Sequence, residues 1–441
     1  MDAGRSMTKV QLRSKIFLHE SVRVVKSTNL GTPLQVARAG LLAILLSSAL
    51  TSTVAAQSAG PEGKVNLFVI ADSGFDEWTD DPTEEQQQFM RERYHRMLTY
   101  APYFDSRLSW YPNAWEYKDA YAIYRSSSVP QDHPDWILKD ANGQNLYIPY
   151  GCSDGTCPQY AADIGNPDFQ NYFITSQRAR MEAGYLGIFI DDVNLSRITV
   201  SDGNGRSVTP IDPRTGTEMT VADWRRYFAE FMERVRDAFP SSEIAHNVHW
   251  WTDRSDPSVL RQLDAADWIN FERGISDPGI TGGSGKYGFE TLLGLIDWLH
   301  GRGKHVVMED DDDTGLQERD YELAFYLMIN DGKGDMLASD GDTTRITPNS
   351  FWSGYLTKLG YALGTHYRWN DLFRRDFECG IVLVNQPDMP TISVALPATY
   401  TDLEGRHLDS VTLPSSGGQV LVGNACGDIQ RPLPPADLQV Q

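Results

Sequence analysis

Gly187-Ile188-Phe189-Ile190-Asp191-Asp192 is the stretch on which the fold turns. Its uninterrupted apolar run reads as a strand covered on both faces, the habit of a parallel sheet packed between helices. Two carboxylates follow the run directly. The same unit recurs in both directions along the chain. Upstream, residues 65–71 read as a first strand, residues 83–100 as a helix, residues 106–110 as a second strand and residues 136–139 as a weak third. Asn166-Pro167 then opens a helix, with Asn as N-cap and Pro at its first position. Downstream, Thr220 and Asp223 form a capping-box variant ahead of Trp224, Phe228, Phe231, Met232 and Val235, which keep the helical period. Further strands are expected at residues 244–248, 268–271, 305–308 and 335–338, with helices from Asp256-Pro257, over 289–299, around 321–329 and over 347–363. Eight strands alternating with helices predict a (β/α)8 TIM barrel over residues 57–371. No Gly-x-Gly-x-x-Gly follows the first strand, so a dinucleotide-binding open sheet has no support. After about residue 372 the helical period stops. Short runs at 380–385, 391–396 and 419–422 predict a small, sandwich-like antiparallel β-domain over 372–426, followed by a Pro-containing tail, 427–441.

The chain's 441 residues carry 60 Asp and Glu against 39 Lys and Arg, a net charge of −21. That balance excludes the basic footprint of a nucleic-acid binder and electrostatic docking on anionic membranes. The N-terminal 56 residues differ, with seven basic and two acidic side chains. After Arg38 comes the apolar run Ala39-Gly40-Leu41-Leu42-Ala43-Ile44-Leu45-Leu46, and then the small residues Val54-Ala55-Ala56. A basic region, a short apolar core and an A-x-A-like end are the marks of a cleaved signal peptide, so a secreted or periplasmic protein is expected. The run is interrupted by Ser47, Ser48, Thr51 and Ser52 and falls short of the roughly 20 apolar residues of a membrane span. In an exported protein an even count of four cysteines suggests disulfides. Four cysteines allow three pairings, of which the local one, Cys152 with Cys157 and Cys379 with Cys426, is the simplest.

In a barrel, chemistry gathers where the strands end at their C-termini. Those ends carry Asp72, then Trp110 with Trp115 nearby, Asp191-Asp192, Asn247 with His249, Trp250 and Trp251, Glu272, Glu309 and Asp340. Carboxylates close five of the eight strands, joined by indoles and an amide. Two carboxyl groups flanking a bond, with aromatic platforms beside them, are what glycoside hydrolysis needs. Asp191 is the candidate nucleophile and Glu272 the candidate acid/base. Asp72, Trp110, Trp115, Asp192, Asn247, His249, Trp250, Glu309 and Asp340 are candidate sugar contacts. By strand alternation Asn247 and His249 share a face and His246 lies opposite, which argues against a metal held by the two histidines. The acidic run from Glu309 to Asp313 lacks the spacing and glycine of a calcium loop, so neither metal nor cofactor is expected. Residues 282–287 lack P-loop spacing and read as a loop over the barrel mouth.

Two segments carry a resemblance. Ala162-Asp163-Ile164-Gly165-Asn166-Pro167-Asp168-Phe169, followed by Gly187-Ile188-Phe189-Ile190-Asp191-Asp192-Val193, resembles glycoside hydrolase-like family 15, within the wider group of α-galactosidase-like barrels. His133-Pro134-Asp135-Trp136 to Gly143 is similar to a substrate-side loop of such barrels. The resemblance covers roughly residues 65–370. It implies a carbohydrate substrate, a nucleophile on strand four at Asp191 and an acid/base on a later strand, matched by Glu272. A carbohydrate-binding barrel without activity and a metal-dependent hydrolase or deacetylase are the competing readings.

Removal of the leader should leave a mature chain beginning near Gln57. N-terminal sequencing of the exported protein checks this, and a product retaining residues 40–50 would identify a membrane anchor instead.

Overall fold

The computed structural model describes residues 62–310, 316–339 and 347–423. Ten strands belong to the first part of the chain. They are β1 (Leu67–Ala71), β2 (Tyr94–Thr99), β3 (Ala114–Asp119), β4 (Ala122–Tyr124), β5 (Gln159–Ala161), β6 (Gly187–Asp191), β7 (Glu243–Asn247), β8 (Trp268–Arg273), β9 (His305–Asp310) and β10 (Met336–Ser339). All but β4 and β5 form a closed parallel barrel in the order β1-β10-β9-β8-β7-β6-β3-β2. The antiparallel pair β4–β5 belongs to an excursion between β3 and β6. The helices are α1 (Asp76–Thr79), α2 (Glu84–Arg93), α3 (Val129–Asp132), α4 (Pro167–Ala183), α5 (Val221–Ala238), α6 (Pro257–Ala265), α7 (Phe289–Gly301) and α8 (Leu316–Ile329).

The expected starts of α4, α5 and α6 hold. Asn166 accepts from the backbone N–H groups of Asp168 and Phe169, Thr220 and Asp223 close a reciprocal box, and Asp256 accepts from Ser258 N–H. Each satisfies amides that the first helical turn leaves without partners.

Four expected elements are corrected. Residues 106–110 are not a strand, since 105–109 form a 3-10 turn. The second barrel strand is β2, which occupies the end of the helix expected over 83–100. The helix stops at Arg93, and Tyr94 turns extended at φ −95°, ψ 119°. Residues 136–139 are no barrel strand either. Ile137 and Lys139 make only isolated bridges, to Ala162 and Asn145 within the excursion and to Ile211 in the loop after β6, and the third barrel strand is β3. The helix expected over 347–363 is absent apart from a 3-10 turn at Ser353–Leu356. Tertiary pairing competes for that backbone: Leu359 N–H donates to Gly63 O and Gly63 N–H to Gly360 O.

The barrel floor is built from large side chains. Glu243 accepts two hydrogen bonds from Arg96, at 2.7 and 2.6 Å, and one from Trp115 Nε1 at 2.6 Å. The Trp115 ring meets Trp268 edge-on at 5.1 Å. This floor explains why the decisive strand begins with glycine. A Cβ on Gly187 would lie 2.5 Å from Glu243 O and 2.9 Å from Trp115 Cδ1. Above it, Phe68, Leu98, Phe189, Ala245, Val307 and Ala338 fill the lumen.

The second sheet has six antiparallel strands, β11 (Tyr367–Trp369), β12 (Leu372–Phe377), β13 (Gly380–Asn385), β14 (Ile392–Thr401), β15 (His407–Leu413) and β16 (Gly417–Gly423), in the order β11-β12-β13-β16-β14-β15. It is one sheet that starts five residues ahead of the expected boundary. It lies so close to α8 that a Cβ on Gly418 would meet Tyr321 Cα at 2.6 Å. Cys152 and Cys157 are bridged as expected. The second expected bridge ends on Cys426, which lies outside the described residues.

Trp115 is fully buried in the floor. Trp115→Ala should therefore lower the unfolding free energy by about 3–5 kcal/mol, read as a shift in the urea midpoint. A variant of normal stability that bound carbohydrate poorly would return Trp115 to the substrate site.

Candidate active site

The C-terminal ends of β3, β6, β7, β8 and β9 converge through their inward-facing residues. Strand alternation sends Tyr117 and Asp119, Asp191, Asn247, Asn270 and Glu272, and Glu309 to the lumen. All of these except Asp119 are joined in one chain of hydrogen bonds. Asp191 Oδ2 accepts from the Tyr117 hydroxyl at 2.6 Å. Asp191 Oδ1 accepts from Asn247 Nδ2 at 2.8 Å and from the Asp192 backbone N–H at 2.7 Å. The same Asn247 Nδ2 reaches Glu272 Oε2 at 3.3 Å. Behind it, Asn270 Nδ2 donates to Asn247 Oδ1 at 3.2 Å and to Glu309 Oε2 at 2.6 Å.

Because one nitrogen serves both carboxylates, the two oxygens can be no farther apart than 2.8 and 3.3 Å laid end to end, or 6.1 Å. The two hydrogens of a planar amide diverge by about 120°, which sets the pair nearer about 5 Å.

Backbone strain coincides with the two carboxylates. Asp192 has φ 57° and Arg273 has φ 67°. These left-handed residues immediately follow Asp191 and Glu272, and such conformations cost of order 1–3 kcal/mol and cluster at functional sites. Crowding of negative charge is the second mark. Burial, reinforced by Asp191, pushes the Asp119 carboxyl up to about 7. Asp192 is also raised well above the usual carboxylate range, first by burial and then by Asp191, Asp119 and Glu272. Asp119 is held by Tyr121 N–H at 2.9 Å, and Asp192 by Asn194 Nδ2 at 3.0 Å.

The other expected site residues separate into three groups. Asn247 is central, and Glu309 is buried behind Asn270 rather than open to the mouth. His249 and Trp251 stand at the rim of β7. Their rings stack at 4.8 Å and 11°, and Trp251 meets the exposed Tyr287 edge-on at 5.6 Å. His249 Nδ1 pairs with Ser196 Oγ at 2.7 Å, and burial, then Arg197, lowers its pKa to about 4. His246 is fully buried against Gln262 of α6, on the outer face as expected. The third group does not meet at the mouth. Asp72 turns back to cap Gly74 N–H at 2.7 Å. Trp110 precedes β3 and packs against Phe104 and Tyr111. Trp115 belongs to the floor, and Trp250 is buried beside Val193, Leu195 and Val259. Asp340 lies outside the described residues, as do Asp311, Asp312 and Asp313. The loop at 282–287 is tied to the second sheet, where Gly283 N–H donates to Gln386 Oε1 at 2.8 Å.

Tyr117, Asp119 and Asn270 were missed. Asn270 stands one position inside a correctly read strand end, and the other two belong to the strand that was misplaced. Among the described residues, His300, Asp331 and Asp335 form a group with metal-ligand separations. It lies at the opposite end of the barrel, where His300 Nε2 and Asp335 pair at 3.0 Å and Asp335 also accepts from Val306 and Asp331 N–H.

The model of hypothetical glycosyl hydrolase family 15 matches residues 97–381, about two thirds of the chain and every strand end of this site. The chain belongs to this family of glycoside hydrolases. No curated protein matches it. Among solved structures it is similar to the glycoside hydrolase domain of PelA from Pseudomonas aeruginosa, at 12% identity and TM-score 0.39 over 63% of this chain and 95% of that one. A maltogenic α-amylase, AmyB from Thermotoga neapolitana, is 11% identical with TM-score 0.45 over 81% and 98%. The α-galactosidase TtGalA from Thermus thermophilus is 15% identical with TM-score 0.39 over 72% and 66%.

The raised Asp119 pKa has a consequence for stability. The folded barrel keeps a proton there that the unfolded chain, titrating near its ordinary value of 3.8, has released. Stability should therefore fall as pH rises from about 4 through about 7. Asp119→Asn should lose that slope, so that in pH-dependent urea unfolding the difference between variant and wild type changes between about pH 4 and about pH 7. Parallel curves for the two proteins would show that Asp119 ionises normally.

Proposed function

We propose that this glycoside hydrolase cleaves an oligo- or polysaccharide outside the cytoplasm with retention of anomeric configuration, using Asp191 as nucleophile and Glu272 as acid/base. The observation that carries this reading is the shared Asn247 amide. It keeps Asp191 Oδ1 and Glu272 Oε2 within 6.1 Å of each other, compatible with the carboxyl separation of about 5–5.5 Å in retaining enzymes and short of the about 6.5–9.5 Å that leaves room for water in inverting ones.

In the first step an Asp191 oxygen bonds to the anomeric carbon as the glycosidic C–O bond breaks. The leaving oxygen takes the proton from Glu272. In the second step Glu272 removes a proton from water, the water oxygen bonds to the anomeric carbon, and the ester to Asp191 breaks. The environments suit these roles. Asp191 is partly buried and held by three donors, whereas Glu272 is exposed at the rim, where leaving group and water must pass. Asn247 touches both carboxylates, and Trp251 with Tyr287 supplies an aromatic platform for a sugar ring. The Cys152–Cys157 bridge supports an oxidising compartment. No helix among the described residues is long and apolar enough to cross a membrane.

Asp191→Asn should lower turnover by on the order of 10³-fold or more while the fold persists. Glu272→Gln should slow substrates with poor leaving groups by about 10²–10⁴-fold and activated aryl glycosides far less. NMR of the first-formed sugar should show the anomer of the substrate. The opposite anomer would overturn retention, and an active Asp191→Asn would overturn the nucleophile.

A further inference from the structure

Tyr117 has no part in the two-carboxylate scheme, yet it makes the closest side-chain contact to Asp191. Its hydroxyl donates to Oδ2 at 2.6 Å. Its ring is held on two sides, by Tyr100 at 5.1 Å and by Phe189 at 6.4 Å and 18°. The two oxygens of Asp191 are therefore unequal. Oδ1 accepts from two N–H groups, Asn247 Nδ2 and the Asp192 amide, and so both its lone pairs are engaged. Oδ2 accepts from Tyr117 and keeps a lone pair for a carbon electrophile.

We infer that Tyr117 is the positioning residue of the reaction: it marks Asp191 Oδ2 as the attacking oxygen and holds that carboxylate ionised against its acidic neighbours. The inference rests on the proposed role of Asp191 and deepens it.

The surroundings show why such a donor is needed. Asp119 on β3 stands opposite Asp191 in the strand register, Asp192 follows it on β6, and Glu272 on β8 shares its amide. Each of these carboxylates, when ionised, favours a proton on Asp191. The phenols of Tyr100, Tyr121 and Tyr124 are further titratable neighbours, Lys118 stands beside Asp119, and Arg197 faces Tyr121. A hydrogen bond to the charged form is the local force that opposes this crowding. Burial, then the charges of Asp191 and Asp119, raises the Tyr117 phenol well above its ordinary range, so it stays a donor at every working pH. As a bond forms from Oδ2 to the anomeric carbon, the charge there is spent and the Tyr117 bond weakens. The same donor then stabilises the carboxylate as leaving group in the second step.

The test compares Tyr117→Phe, Asp191→Asn and wild type on the fastest substrate of a p-nitrophenyl glycoside panel. Tyr117→Phe should fold with an unchanged circular dichroism spectrum and lose about 10–100-fold in kcat with KM within about twofold. The acid limb of its kcat/KM profile should move to higher pH by about one unit, because Asp191 loses a donor to its ionised form. A kcat loss with an unmoved acid limb would make Tyr117 a packing residue, and normal kcat would remove it from the reaction. Both outcomes would overturn this inference while an inactive Asp191→Asn left the proposed nucleophile standing. An active Asp191→Asn would overturn both. Should Tyr117→Phe fold poorly, Tyr117→3-fluorotyrosine keeps the ring and changes only the acidity of the hydroxyl. It should then move the acid limb towards lower pH, and an unmoved limb would again overturn the inference.

Discussion

One amide nitrogen governs the mouth of this barrel. Asn247 Nδ2 lies within hydrogen-bond reach of Asp191 and of Glu272, and so it sets how far apart two like charges may stand. Without a donor between them, two carboxylates at that separation would share a proton or move apart. Asn247 is itself kept in place through its oxygen, which accepts from Asn270, whose amide also satisfies the buried Glu309. Orientation is thus transmitted across three neighbouring strands by side chains that carry no charge. An amide suits this task because it donates at every pH and adds nothing to the negative field.

That field comes at a cost in stability. Asp119, Asp191 and Asp192 lie together, Asp119 and Asp192 with strongly raised proton affinity and Asp192 in a left-handed conformation. Active sites commonly hold such strain where the surrounding structure over-determines it. Here the far end of the barrel supplies the rigidity. Arg96, Glu243, Trp115 and Trp268 interlock there, with Nε and Nη2 of the guanidinium engaged by one carboxylate. The lumen is therefore divided along its axis. Charge at the floor is matched and closed, and the charge that β3, β6, β8 and β9 turn into the mouth is acidic.

The second sheet touches the site indirectly. It rests on α8, and the turn at Gln386 holds Gly283 in the loop between β8 and α7. That loop carries Tyr287, whose ring meets Trp251 at the rim. The aromatic side of the mouth is in this way buttressed from outside the barrel, whereas the carboxylate side is built wholly on strand ends.

The amino-acid order by itself determined much of this protein. The apolar run of β6 followed by acids, the Asn166, Thr220 and Asp256 caps and the parity that sends Asp191, Asn247 and Glu272 inward are local properties, legible because β6, β7 and β8 each keep a buried apolar centre of two or more residues. The strands that escaped reading, β2 and β3, carry polar and aromatic residues inward: Arg96 in one, Trp115, Tyr117 and Asp119 in the other. Their pattern is neither an apolar run nor a clean alternation, so nothing local marks them as barrel strands. They become strands because Glu243, one hundred and more residues away, takes up Arg96 and Trp115, and because Asp191 takes up Tyr117. The same reason separates the indoles. Trp110 and Trp115 are near neighbours in the chain, as are Trp250 and Trp251, but only barrel closure decides which ring packs the floor and which faces the mouth. Residue type and parity are inscribed locally; the pairing of polar groups across strands exists only once the barrel closes.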